Sequence, residues 1–442
     1  MEPASLLEEI RFGYGPRADQ SLGAGGVDAD RVLAQLTADD PQGRGWNRPP
    51  LADRYNLFAQ YNAEKDTAAG VQPATAQALK AMQAADIDTF VGRPAFAAAG
   101  FVERLVNLWA NRITISNASG GVTRYVQSFR DEAIRPHIAG RYADMLKATL
   151  WHPGMQFYLT QAASIGPDSI AGRKKGRGLN ENLAREFLEL HAMRVGYSQA
   201  DVTQFAMLLA GMVSDEQGER VDPRRVQPGV KHILGRDFTD ADPQGEINRL
   251  VDYVAARPET GQNVAFTLAR HFIADDPPAD LVASLAATYA ARDGDLPALY
   301  RVLLQHPSAS APERQKLRTP QEYAAATLRL LGISDAEPQF DKLAKKIPGA
   351  MAAMGQPVFR ALRPDGWPEV SEGWMTPPMM AARVDWAVDM ARRAGNQVDP
   401  QALVTLALGD TASPLLTRAV GGAEQRWEGL AVLLGSPEFS RR

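Results

Sequence analysis

The chain has 442 residues and a formal net charge of −4, so it offers no broad positive field for nucleic acid or an anionic membrane. It contains no cysteine, which excludes disulfides, thiol nucleophiles, iron–sulfur clusters and thiolate zinc sites. Apolar residues at 45% and charged ones at 23% are those of a globular protein with ample chain for a large core. No run approaches the roughly 18 apolar residues of a membrane span.

Alanine is abundant, β-branched runs are scarce, and Gly, Pro and Asp punctuate segments of helical length, so most of the chain reads as helix. The opening MEPASLLEEIRFGYG has neither a basic nor an apolar signal region, which predicts no export signal of its own. A short helix over 6–12 stops at the GYGP turn. One helix near 29–36 follows within a Gly-, Asp- and Pro-rich stretch, and 51–92 suggests a polar helical pair. Further helices fit 94–109, 121–134, 138–149 and 153–164.

The densest chemistry lies in residues 172–196, GRKKGRGLNENLAREFLELHAMRVG. A glycine-spaced basic loop carrying Arg173, Lys174, Lys175 and Arg177 feeds a helix that begins near Leu179 or Asn180. Cations beside the N–H groups of a helix start form a candidate anion site, with Asn180 and Asn182 joining it. A plain solvent loop is the alternative, and G-x-x-x-x-G-K-[ST] is not matched. At about 100° per residue, Glu181, Arg185, Glu189, Asn182 and Glu186 share one face, and Leu183, Phe187 and Leu190 form the buried stripe. Glu181–Arg185, Arg185–Glu189 and Asn182–Glu186 are i,i+4 pairs, which describes a solvated ladder. The same face turned into a cleft would let Glu186 and Glu189, with Arg185, move protons or hold a cation. His191 sits about 140° from Glu186 and about 200° from Glu189, so E-x-x-E-L-H cannot close on one metal ion. A histidine holding a backbone carbonyl is expected there.

Beyond this, 198–209 is a helix whose Ser198 and Asp201 suggest a capping box. Residues 213–242 read as a loop with one β-hairpin, and helices resume at 246–256, 263–272, 278–291 and 295–306. The last third gives helices near 322–331, 339–346, 377–393, 400–408, 414–420 and 424–434. In HFIADDPP, His271 lies near Asp275 and Asp276, an acid/base or metal cluster or simply a helix end and the next cap. Trp367, Trp374 and Trp386 form a sugar-stacking platform or pin an irregular segment to the core. No G-x-S-x-G or G-x-G-x-x-G and no ligand-spaced histidine pair is present, and the sequence leaves the identity of any cofactor open. The expected fold is mainly α: a large multi-helix domain with one small β-hairpin insertion. Its regions are 1–92, 93–212 with the NENLARE helix, 213–245 with the hairpin, and 246–442, packed together as one unit.

RFGYGP, LVNLWANRITIS, HPGMQFYL, GLNENLAREFLELHAMRVGYSQADVTQFAMLLAGM, GVKHILG, LARHFIADDPP and PDGWPEVSEGWMTPPMMAARVDWA occur in this order. In this the chain resembles the bacterial family called domain of unknown function 1800 over nearly its whole length. Two positions depart from that family's pattern: Arg112 stands where W-x-N-H-F has histidine, and Val226 stands where histidine often precedes P-G-x-K. Arginine there is a fixed charge that cannot shuttle protons near neutral pH. The resemblance implies a neighbouring partner of the domain-of-unknown-function 1501 type, similar to sulfatases and phosphatases and exported by a twin-arginine signal. It points to a binding or accessory role toward an anionic substrate, with Arg112 among the binding residues. A hydrolase or acid/base enzyme, with or without a divalent metal, and a structural scaffold are the alternatives. The chain is expected to stay cytoplasmic alone and to reach the periplasm only by folded co-export.

Overall fold

Helices dominate the computed structural model, which describes residues 4–67, 74–117, 122–175, 178–215, 218–336 and 340–442. Their starts are written in the sequence. Proline occupies the first turn of Pro243–Ala255, Pro258–Phe272, Pro320–Leu330, Pro377–Ala394 and Pro414–Gly421, where an N–H would have no helical partner. Ser198 with Asp201 and Thr319 with Glu322 close full capping boxes.

Two apolar cores organise the packing. The first gathers Phe101, Leu105 and Trp109 with Leu183, Phe187, Leu268 and Phe272. The second joins Phe90 and Phe96 to Tyr323, Leu328, Trp386 and Leu433. Helix Gly100–Arg112 serves the first core and Pro320–Leu330 the second, and Arg104 reaches Glu322 across the 2.5 Å between them. Among the described residues no helix is long and apolar enough to cross a membrane.

Several elements differ from the sequence reading, each for a local reason. The central helix is α-helical only over Asn182–Glu186 and continues as a π-helix over Phe187–Ala192, and another π segment covers Phe129–Ile134. The 213–242 region holds two antiparallel hairpins instead of one: β1 (Met212–Asp215) with β2 (Gly218–Val221), and β3 (Lys231–Ile233) with β4 (Arg236–Phe238). Leu234 and Gly235, both at positive φ, make the second hairpin's two-residue turn. The strained Leu234 is held by Asp201 Oδ1 on its N–H and by Tyr253 OH on its carbonyl. The expected 153–164 helix breaks at Thr160, φ 56°, and a further helix appears at Ile347–Ala353. Residues 172–175 of the expected basic loop belong instead to a helix, Ile170–Lys175, capped by Ser169 Oγ on Gly172 N at 3.0 Å.

Pro94 was expected to open a helix but lies inside Thr75–Phe96, near its end. It cannot donate to the Phe90 carbonyl, and Gln321 Nε2 does so instead at 2.6 Å. That bond ties the two helices together. Gln321→Leu should cost about 1–3 kcal/mol in urea denaturation. The cost should shrink in a Pro94→Ala background, where a backbone N–H can supply the missing donor; equal costs in both backgrounds would contradict this account.

Candidate functional site

The two cores meet at a strap, residues 366–370, and Asn111 holds it. Asn111 Nδ2 donates to the Trp367 carbonyl at 3.0 Å and to Glu369 Oε1 at 2.8 Å, and its Oδ1 accepts from Trp367 N at 2.7 Å. Gly366 has φ 80°, and a Cβ there would lie 2.3 Å from the Asn111 carbonyl. Only glycine lets the strap approach so closely.

Glu369 then faces inward. Its Oε2 is 2.8 Å from His271 Nδ1, and its carbonyl accepts from Lys316 Nζ. Lys316 also bridges to Asp275 Oδ1 at 2.5 Å, and Asp275 Oδ2 accepts from Ser371 N at 2.8 Å. Burial would raise the Glu369 pKa, but His271, its hydrogen bond, Lys316 and Asn111 outweigh it and bring the carboxyl down to about 2. Burial lowers the His271 pKa, so the imidazole is neutral near pH 7 and its Nδ1–H donates to the carboxylate. That leaves Nε2 bare, buried and without a partner. It borders a small chamber of about 70 Å³, which Arg104, Asn107, Gln321 and Glu322 also line. Glu322 is the anchor of this interior, accepting from Arg104 at 2.5 Å and from Arg442 Nε at 3.0 Å.

On the other side of the strap lies an outer cleft of about 500 Å³, with Asn111, Trp367, Pro368 and Glu369 as the shared wall. Arg112, Arg194, Arg270 and Arg363 line it together with Asp365. Arg363 pairs with Asp365 at 2.8 Å. Among the described residues the other three arginines have no carboxylate partner. Arg112 donates to Asn263 Oδ1 at 2.9 Å, and Asn263 is locked in turn by its bond to the Ala192 carbonyl at 2.6 Å. Burial lowers the Arg112 pKa, and the neighbouring Arg194 lowers it further. Tyr142, Glu369 and Asp365 act in the opposite sense. Arg270 is spent partly on the Asp275 carbonyl and lies 4.3 Å from the Phe266 ring centre.

Glu186, Glu189 and Arg185 lie near enough to act on one another's charge, but Arg185 pairs with neither glutamate. Arg185 turns to Glu181 Oε2 at 3.1 Å and Gln199 Oε1 at 2.9 Å, so only the first half of the expected ladder forms. The π turn that begins at Phe187 rotates Glu189 off the ladder, toward Tyr197. Glu186 is half-buried, its carboxyl raised by burial and by Glu189; Arg185 opposes this, and Asp365 of the cleft adds to it. His191 is buried against Phe187, its pKa lowered to about 3 by burial and by Arg112, and its carbonyl accepts from Tyr142 OH at 2.6 Å. Asn180 is a structural pin, donating to the Leu159 and Thr160 carbonyls and accepting from Asn182 N, and Asn182 is exposed.

Arg173 and Lys174 are exposed and do not line the cleft, and the side chains of Lys175 and Arg177 lie outside the described residues. Gly172 is required by packing, since a Cβ would lie 2.2 Å from the Gly166 carbonyl. The two positions where histidine was expected are far apart in role: Arg112 lines the cleft, and Val226 borders a separate pocket beside the hairpins. Trp367 and the buried Trp374 both line the cleft with their rings 6.1 Å apart, Trp374 Nε1 donating to the Pro368 carbonyl at 3.0 Å, whereas Trp386 belongs to the second core. The three tryptophans therefore make no single platform. Among the described residues no three His, Asp or Glu side chains could hold a metal ion.

Fold and site define a mainly α-helical protein in which a buried ionic network backs an arginine-lined cleft. The chain belongs to the family described as Protein of unknown function (DUF1800), whose pattern matches residues 9–441. No curated protein and no solved structure matches it. Sequence reasoning singled out Arg112 and His271 but missed Glu369, Asn111, Lys316 and Glu322. Asn111 and Glu369 stand in two of the segments that carry the family resemblance, which was the one signal available for them.

Because the folded Glu369 pKa is depressed from 4.5 to about 2, its ionisation stabilises the fold above pH 4.5, and that contribution is lost as pH falls toward 2. Urea denaturation of the wild type and Glu369→Gln should show a stability gap at about pH 6 that closes toward about pH 2. A gap independent of pH would contradict the assignment.

Proposed function

We propose that this protein binds an anionic ligand, carrying a phosphate, sulfate or carboxylate group, in the outer cleft. The observation that carries this reading is Arg112: a desolvated guanidinium with an amide for a partner, beside a second cation, opening on a cleft of about 500 Å³. An arginine in that setting is electrostatically incomplete, and an anion would complete it with paired hydrogen bonds. Arg11 and Arg383 are buried without carboxylates, but Arg383 is closed in by the Arg318 carbonyl and the Tyr323 ring. Arg11 lines a separate pocket of about 420 Å³, but three backbone carbonyls already meet its guanidinium, whereas Arg112 has one side-chain amide. The basic segment at Arg173 and Lys174 is the weaker anion site, because it stands outside this cleft.

An accessory role beside a sulfatase- or phosphatase-like partner, and export by travelling folded with it, belong to the same proposal and rest on the family resemblance. Such a partner would release or consume the anion that the cleft holds. Co-purification with the partner, and cell fractionation with and without it, test these two points; export of the lone chain would refute co-export.

A second reading, acid–base chemistry, is favoured by the bare Nε2 of His271, oriented by Glu369 toward a chamber large enough for water. If the pair serves chemistry, His271→Gln should abolish turnover of 4-nitrophenyl phosphate or sulfate while orthophosphate binding persists. Absence of turnover by the wild type would remove that reading for these esters.

Calorimetric titration with orthophosphate tests binding itself. Arg112→Gln should weaken it at least about tenfold, which is roughly 1.4 kcal/mol. The wild-type affinity should fall as salt rises. Without ligand, Arg112→Met should cost less than about 1 kcal/mol of stability or even raise it, because a half-buried charge without a carboxylate partner is removed. Unchanged phosphate affinity in Arg112→Gln would overturn the proposal.

A further inference from the structure

At Arg194 the outer cleft adjoins a second pocket of about 570 Å³, lined by the apolar Met193, Val195, Pro258 and Phe266 and by the amides of Gln262 and Asn263. Arg194 and Phe266 line both spaces, so the two adjoin at these residues. Val195 is 66% exposed, an apolar side chain left facing solvent at this junction. Glu259 also borders the pocket, but Arg257 neutralises it at 3.1 Å. Arg194 itself has φ 65°, a left-handed conformation at the end of the π-helix, and it stands where the charged and apolar parts meet. The Arg270 guanidinium over Phe266 joins them a second time.

We propose that the ligand of the cleft is an amphiphilic anion. Its phosphate- or sulfate-like head lies against Arg112, Arg194 and Arg270, and its alkyl chain runs past Arg194 onto Met193, Val195, Pro258 and Phe266. This rests on the anion-binding reading and names the class of ligand. Charge complementarity fixes the head, since Arg112, Arg194 and Arg270 line the cleft without carboxylate partners among the described residues. The chain's direction follows from where apolar surface is gathered. The cleft's rim at Leu362, 85% exposed, has beside it the ion pair of Arg363 and Asp365. A chain leaving by that rim would bury a charged pair, and one leaving past Arg194 covers apolar side chains.

Calorimetry with ethyl phosphate and octyl phosphate, the latter below its micellar concentration and both at one ionic strength, tests this. Each buried methylene is worth about fourfold in affinity, so octyl phosphate should bind at least about tenfold more tightly than ethyl phosphate. Val195→Asn should reduce that gain several-fold and leave ethyl phosphate unchanged, and Leu362→Asn should leave both unchanged. Equal affinity for the two phosphates would overturn the amphiphile while leaving the anion cleft intact. A gain removed by Leu362→Asn instead would overturn the path of the chain. Failure of both phosphates to bind would overturn the anion-binding reading, and this inference with it.

Discussion

Glu322 bridges two arginines at the place where the two apolar cores meet, and the rest of the structure depends on that contact. Arg104 comes from the first core's helix and Arg442 from the C-terminal end, and each donates to a different oxygen of the same carboxylate. Thr319 N supplies a third donor to the carboxylate. Removing one partner of a buried ion pair leaves a charge uncompensated at a cost of about 3–5 kcal/mol. The cores are thus held in one relation, and that relation fixes the distance between helix Gly100–Arg112 and the strap at 366–370. Asn111 can reach Trp367 and Glu369 because Arg104, seven residues earlier on the same helix, is already anchored.

From this follows a division of charge. Arg104 and Lys316, and Arg54 with Asp86, each meet a carboxylate inside the protein. Arg112, one residue beyond the strap's anchor, meets an amide and a cleft. Asn111 and Arg112 are neighbours on a helix and so point about 100° apart. One completes the interior, and the other faces outward with its charge unmatched. Arg112 stays cationic at every physiological pH, so an anion taken up in the cleft would meet this charge without a titration step.

Much of the fold was legible in the chain itself. Helical period, proline at first turns and the Ser198–Asp201 capping box all mark elements that the structure contains, because these signals are local. What failed was also physical. The extra residue of a π turn leaves no mark in the pattern of Leu183, Phe187 and Leu190, so an even salt-bridge ladder was expected where Glu189 in fact turns to Tyr197. Pro94 reads as a helix start, and only the distant Gln321 makes it tolerable within one. The site suffered most from distance. His271 was paired in the sequence with Asp275 and Asp276, its neighbours, yet its partner is Glu369, and Asp275 belongs to Lys316. Arg112 was singled out as a departure from a family pattern; its cleft depends on a strap more than 250 residues away.

The most direct measurement of the central claim is a crystal structure of the protein grown or soaked with selenate, a sulfate analogue visible by anomalous scattering. The account predicts an anomalous peak in the outer cleft within hydrogen-bonding distance of the Arg112 guanidinium, with Arg194 or Arg270 as a second contact. A selenate bound only at Arg173 and Lys174, or a cleft empty at saturating selenate, would contradict it.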